Sequence, residues 1–351
     1  MQDIELEQAI DLLLAHTVPV RETERVPLLD AVGRTAAEEV RAGFDNPPFD
    51  RSPLDGYTFA AASTRTAAAE HPVCLHVIGE ECAGEFFTGA VGAGECVRIM
   101  TGGAIPKGCD CVVRQEDVRE DGDVIHVPFS SEPYENYCYA GEDIKKGTLL
   151  VLKGQAITAA HIAVLASEGY GDVLVYRRVR VAVASTGDEL LQPGEPLQPG
   201  RIYNSNLYLI AGRLKELGAE VMVLGAVPDD IERAAEVIAS YAEHVDLFLT
   251  SGGVSVGKKD IMHGVVPALG AERLFWRVCM KPGAPAIAYT RGAMLGIALS
   301  GNPFAAYATF ELMARPVLAR LSGRSEVLLH RRRAVLADAF PKDCPGRRFL
   351  R

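Results

Sequence analysis

The sequence predicts a multidomain α/β protein. An α/β domain built on a parallel sheet occupies the second half of the chain, and a small, mainly-β domain precedes it. Three observations carry this. From Val179 onward, short apolar runs alternate with amphipathic segments of helical length. One run, Val245 to Leu249, stops abruptly at Thr250-Ser-Gly-Gly253, the pattern of a strand covered on both faces. Between Val73 and Val127, by contrast, short alternating strands are separated by glycine turns.

At 351 residues the chain is long enough for two or three domains and for more than one core. Its 48% hydrophobic and 23% charged residues are an ordinary globular balance, which excludes long disorder. A formal charge of −10 argues against a nucleic-acid partner, since such proteins concentrate basic residues on one face. The longest basic run, Arg331 to Arg333, reads as a solvated strand edge or loop. The closest cysteines, Cys109-Asp-Cys111, lack the spacing of a zinc site or a redox pair, so free thiols in a reducing, cytoplasmic setting are expected. Met1 to Glu7 is acidic and unlike a signal peptide, and no apolar run is long enough to span a bilayer.

Taken in order, Ile4 to His16 spaces its apolar residues as one helical face, and a second helix is expected over Leu28 to Glu39. Phe44 to Tyr57 holds three prolines and reads as an irregular loop carrying Asp45, Asp50 and Asp55, although an Asp-Gly pair such as Asp55-Gly56 also suits a plain turn. Strands are expected next at Val73 to Ile78, Glu95 to Met100 and Cys111 to Val118, with a hairpin at Asp121-Gly122 leading to Val124 to Val127. Met100 to Gly108 either presents Thr101 and backbone N–H groups to an anion or is a plain loop. A short strand is expected at Leu149 to Leu152 and a helix over Ile157 to Ser167. The alternating half then runs: strand Val181 to Ala184, helix Leu207 to Leu217, strand Glu220 to Leu224, a helix capped by Asp229 and Asp230, and the Val245 strand. Strands Ala286 to Tyr289 and Met294 to Leu299 and a long helix from Pro303 to Leu321 complete it.

The loop after Leu249 nearly spells a phosphate-binding P-loop: Gly252, four residues, Gly257, Lys258. Lys259 stands where such a loop needs Ser or Thr to hold magnesium. The loop therefore reads as an anion-cradling turn, or else as a glycine turn with solvated lysines. In a parallel sheet one rim collects the loops that leave the carboxyl ends of the strands. Here that rim would gather Glu189, Asp229, Ser251 to Asp260 and Ser300 to Pro303. Asp188, Glu189, Asp229 and Asp260 are its candidate magnesium ligands, with helix capping as the rival role of Asp229. His161, His244 and His263 read as surface or core residues.

Seven stretches in order resemble one family: Phe49 to Tyr57, Arg98 to Gly102, Gly141 to Ile144, Ser185 to Leu190, Ser251 to Gly257 with Asp260, Lys281-Pro-Gly283 and Gly301-Asn-Pro303. The chain is similar to molybdopterin molybdenumtransferase, the bacterial MoeA and gephyrin E-domain family, from its first helix to about Leu321. The resemblance implies insertion of molybdate into adenylylated molybdopterin with magnesium, as AMP leaves. It implies an elongated N-terminal dimerisation domain (1–45 and 144–177), a small β domain (46–143), an α/β molybdopterin-binding domain (178–326) and the start of a truncated C-terminal β-barrel (327–351). Asp55, Thr101, Asp143, Glu189 and Asp260 would be catalytic. Thr186, Gly187, Asp229, Ser251, Gly252, Gly253, Ser255, Lys258, Arg277, Lys281, Ser300, Gly301, Asn302 and Pro303 would bind substrate. The resemblance further implies a homodimer in which the small β domain of one subunit serves the α/β domain of the other, with the adenylyltransferase and molybdoenzymes as partners.

The chain departs from the family pattern at Ser300, where proline is common, at Ala284, where lysine often follows Lys-Pro-Gly, and at Arg277, where lysine is frequent. A molybdopterin adenylyltransferase is the main rival, but it has no counterpart of Pro47 to Asp143. A receptor-binding scaffold has no legible feature here, and a tungsten-inserting relative would differ only in the oxyanion.

Overall fold

A computed structural model describes residues 1–257, 260–335, 337–338 and 347–350. The chain divides into two compact units. One comprises Met1–Glu39, Val151–Ala163 and Tyr170–Arg351, and the other Val40–Leu150 and Val164–Gly169.

The first unit is built on a seven-stranded sheet in the order Gln2–Ile4, Glu272–Val278, Ile287–Arg291, Met294–Leu299, Leu247–Ser251, Arg180–Thr186, Glu220–Val227. The last four are mutually parallel, as expected from the strand and helix alternation. The parallel sheet is extended by Ile287–Arg291, which runs antiparallel to both neighbours; only Gly292 and Ala293 separate it from Met294–Leu299, too few for a parallel crossover. Alternation along a strand splits the core in two. Val181, Val183, Leu247 and Leu249 pack with helices Leu6–Ala15, Ser205–Glu216 and Arg315–Leu321. Ala182, Ala184 and Phe248 face the other way, against helices Ile231–Tyr241 and Met262–Ala268. The last of these helices, containing Pro267, and the Glu272–Val278 strand are absent from the sequence reading.

Two further expectations are revised. The helix expected over Leu28 to Glu39 is a single 3₁₀ turn, Leu28–Ala31. Gly33 adopts φ +78°, and the N–H groups of Ala36 and Ala37 are claimed by the carbonyls of Gln155 and Leu174 at 3.0 Å, so tertiary pairing overrides helix propensity. The long final helix is interrupted by a π segment, Phe310–Ala314, between Pro303–Thr309 and Arg315–Leu321. Pro316 has no N–H for the Leu312 carbonyl, which breaks the regular ladder there. Of the expected C-terminal β segment, the described residues hold one short strand, Arg347–Arg348, paired with Met280–Lys281.

The second unit is a six-stranded sheet: Cys111–Arg114, Gly56–Phe59, Glu95–Ile99, Val73–Glu81, Val124–Val127, Arg119–Asp121. The strand expected over Cys111 to Val118 stops at Arg114, and a 3₁₀ turn separates it from Arg119–Asp121. That short strand forms the hairpin with Val124–Val127, turning through Gly122 at φ +59°. Burial pushes the Cys96 and Cys111 thiols up to about 12, and both are free.

At Gly56 an added Cβ would lie 1.8 Å from the Val113 carbonyl oxygen of the neighbouring strand. We expect Gly56→Ala to force those strands apart and to lower stability by at least the ~1–3 kcal/mol typical of overpacking. Thermal melting of the purified variant checks this.

Candidate active site

In the α/β unit the strand register sets the site. Ser185 pairs with Ser251, and Ser251 with Leu299, so Thr186, Gly252 and Ser300 leave the sheet side by side. A cleft of about 290 Å³ opens there, lined by Thr186, Gly187, Glu189, Asn204, Asn206, Asp229, Ser251 to Ser255, Asp260, Ser300, Gly301 and Pro303, among others.

Its floor is a buried polar network. Ser185 Oγ donates to Asn204 Oδ1 at 2.9 Å, which leaves Ser251 as donor to Ser185 across 3.0 Å. The same Oδ1 caps helix Ser205–Glu216 by accepting the Leu207 N–H. Asn206 Nδ2 donates to the Gly301 carbonyl at 2.8 Å. Asn204 Nδ2 and Asn206 Oδ1 are buried beside the cleft without a protein partner, exceptions to the rule that buried polar groups are hydrogen-bonded. The sequence shows Asn204 only as a cap and does not single out Asn206. The Asn204-Ser-Asn206 triplet after a strand is the available signal.

The glycine loop is shaped by close approach. Gly252 and Gly253 have φ of +93° and +69°, and a Cβ on either would lie 2.9 or 2.8 Å from Thr186 Oγ1. The Gly252 N–H bonds to the Leu299 carbonyl at 2.9 Å. The N–H groups of Gly253, Val254, Ser255 and Val256 then have no acceptor among the described residues, as an anion cradle requires.

Three carboxylates flank this cradle. Glu189 folds its carboxylate over Gly187, where a Cβ would meet Oε1 at 2.8 Å. Asp260 Oδ2 accepts the Gly257 N–H at 2.6 Å. The capping rival of Asp229 is resolved: Asp230 caps helix Ile231–Tyr241 through the Arg233 N–H. Asp229 instead exchanges hydrogen bonds of 3.3 and 3.4 Å with Asp188, which does not itself line the cleft. Among the described residues no three His, Cys, Asp or Glu side chains converge to hold a metal unaided. The hard oxygen donors of Glu189, Asp229 and Asp260 suit an ion that completes its shell from substrate and water, as magnesium does.

Other expected residues lie elsewhere. Arg277 pairs with Asp3 at 3.0 Å and stands over the Trp276 ring, and neither Arg277 nor Lys281 lines the cleft. Asn302 caps helix Pro303–Thr309 through the Ala305 N–H. Lys258 lies outside the described residues.

In the second unit Asp55 Oδ1 accepts both the N–H and the hydroxyl of Thr101 at 2.7 Å, so Thr101 belongs to a built contact and not to a plain loop. Those two donors, the backbone one foremost, hold Asp55 below the usual carboxylate range. Asp143 pairs with Arg51 at 3.4 Å. The loop between is pinned throughout: Asp45 takes the Lys146 N–H, Asp50 takes the Tyr137 hydroxyl and the Ala140 N–H, and Ser52 and Gly103 are bonded at 2.9 Å.

Residues 4–169 match the family model described as MoeA N-terminal region (domain I and II), and residues 182–320 match probable molybdopterin binding domain. The molybdopterin molybdenumtransferase of Bacillus subtilis (strain 168) is 37% identical over 342 residues, 96% of this chain and 80% of that protein. The chain belongs to the molybdopterin molybdenumtransferase (MoeA) family. The Staphylococcus aureus (strain Mu50) molybdopterin molybdenumtransferase is 38% identical over 93% of this chain and 78% of its own length. A solved structure of the molybdopterin biosynthesis moeA protein from Pyrococcus horikoshii matches with a TM-score of 0.81 at 33% identity, covering 92% of this chain and 81% of that one. The MoeA membership makes the cleft part of an enzyme of molybdenum cofactor biosynthesis.

Thr101→Val removes one of the two donors to Asp55 and leaves the other. We expect the Asp55 pKa to rise toward the ordinary value without reaching it, which a carbon-13 NMR titration of the carboxyl reads. A lowered carboxylate pKa favours the fold above its unfolded value, and that contribution is lost as pH falls through the folded value. Thr101→Val should therefore lose less stability on acidification than wild type does, and Asp55→Asn should lose none of this contribution.

Proposed function

We propose that the cleft of the α/β unit takes adenylylated molybdopterin and molybdate, and that metal enters the dithiolene as AMP leaves. The observation that carries this reading is the run of amides after Gly252 that have no acceptor among the described residues, set among Glu189, Asp229 and Asp260. The amides of Gly253 to Ser255 receive oxyanion oxygens, and the orphan amide ends of Asn204 and Asn206 orient the polar rim of the substrate. One or two of Glu189, Asp229 and Asp260 would hold magnesium, with substrate and water completing its shell. When bound, that ion polarises the phosphoanhydride.

We read the active species as a cytoplasmic homodimer in which Asp55, Thr101 and Asp143 of one subunit serve the cleft of its partner. Two observations support the role of this trio: Asp55 is held as a carboxylate by Thr101, and Asp143 is anchored by Arg51.

Incubation with adenylylated molybdopterin, magnesium and molybdate, with AMP and bound metal measured, tests the reaction, and a parallel run with tungstate tests the oxyanion. Glu189→Gln and Asp260→Asn should each cut AMP release on the order of 10²-fold, the scale of one lost preorganised electrostatic contact, with melting unchanged. Full activity in both would refute the site. Chelation should abolish AMP release and added magnesium restore it. Mixing Asp55→Ala with Glu189→Ala subunits should regain a fraction of wild-type activity that neither has alone.

A further inference from the structure

Behind the glycine loop, two ring N–H groups tie down consecutive carbonyls. Trp276, the only tryptophan, lies in strand Glu272–Val278 and donates its indole N–H to the Val254 carbonyl at 3.2 Å. His263, in the first turn of helix Met262–Ala268, sets Nε2 3.0 Å from the Ser255 carbonyl. A carbonyl can only accept, so Nε2 carries the proton. The two rings brace each other edge to face, with centroids 4.6 Å apart at 88°. Arg277 covers the indole at 5.8 Å and is anchored by Asp3. None of these four side chains lines the cleft.

The geometry of a trans peptide makes this consequential. A carbonyl and the N–H of the next residue share one plane and point opposite ways. Holding the Val254 and Ser255 carbonyls therefore aims the Ser255 and Val256 N–H groups away from Trp276 and His263. Those N–H groups are among the four without an acceptor in the described residues; Ser255 lines the cleft, and Val256 stands just beyond its lining at the loop tip. The loop is tied at its ends, by Met262 N–H to the Gly253 carbonyl at 3.0 Å and by Gly257 N–H to Asp260 at 2.6 Å, and between them Val256 is 79% exposed, so the two ring N–H groups hold the intervening peptides.

We propose that His263 and Trp276 are positioning residues that hold the carbonyl side of the loop so that its amides meet the substrate oxyanion. The oxyanion half of this statement rests on the function proposed above, and the positioning half does not.

The test uses the full chain with three variants whose melting matches wild type. Nitrogen-15 order parameters of the Ser255 and Val256 amides should stay near the rigid ~0.85 in wild type and in His263→Gln, which keeps an N–H donor. In His263→Leu the Val256 value should fall below ~0.6. Trp276→Phe keeps an aromatic ring but loses the donor, and should loosen Ser255 chiefly. For AMP release, His263→Leu should raise KM about threefold to tenfold, the scale of one hydrogen bond, with kcat little changed and with rescue in His263→Gln. Order parameters equal to wild type in both His263→Leu and Trp276→Phe would overturn the proposal. A wild-type chain that released no AMP would instead refute the proposed reaction, and the order parameters would still decide the positioning role.

Discussion

The contact between Thr186 and the Gly252-Gly253 pair is the constraint on which the site depends. Two parallel strands end level with one another, and the hydroxyl of the residue leaving one lies where a Cβ would stand on the loop leaving the other. Only glycine tolerates both that approach and the positive φ values, so the sequence of the loop follows from the register of the sheet. Beneath the contact, Ser185, Ser251 and Asn204 join both strands and the helix after them in one buried network. A shift of one residue in register would turn these hydroxyls to the opposite face and remove the floor of the cleft.

The rest of the sheet serves that register. Small Ala182 and Ala184 on one face and Val181 and Val183 on the other let helices pack closely on both sides without displacing the strand ends. Arg177 forks onto Asp246 through two bonds of 2.8 and 2.9 Å, and Asp246 also takes the Arg180 N–H. The starts of the neighbouring strands Arg180–Thr186 and Leu247–Ser251 are thus fixed to each other by a bidentate pair, at the opposite end of the strands from the cleft.

A feature is legible in the sequence where its signal is local. The strand expected at Val245 to Leu249, observed as Leu247–Ser251, and the alternation of strand and helix are each written within a few residues, and the structure bears them out. The Leu28 to Glu39 stretch reads as a helix in isolation because its backbone partners, Gln155 and Leu174, lie more than a hundred residues away. Arg277 is a substrate ligand only by the family resemblance. Its positive φ and its pairing with Asp3 are tertiary facts with no local signature. Asp229 and Asp230 are indistinguishable as caps in sequence, and only the Arg233 N–H separates them. Asn206 escapes notice because a buried, half-satisfied amide can be recognised only once its surroundings are known.

Electrostatics ties the acidic composition to the chemistry. Among the described residues the cleft lining holds the carboxylates of Glu189, Asp229 and Asp260 and no lysine or arginine, within a chain of formal charge −10. Free amides offer an oxyanion partial positive charge, but three carboxylates close by would repel a phosphate or a molybdate dianion at neutral pH. Under the function proposed above, a bound divalent cation would supply the countercharge. The acids and the amides are then not competing devices. In the proposed reaction the carboxylates would hold positive charge at the cleft, and the amides would fix where the oxyanion meets it.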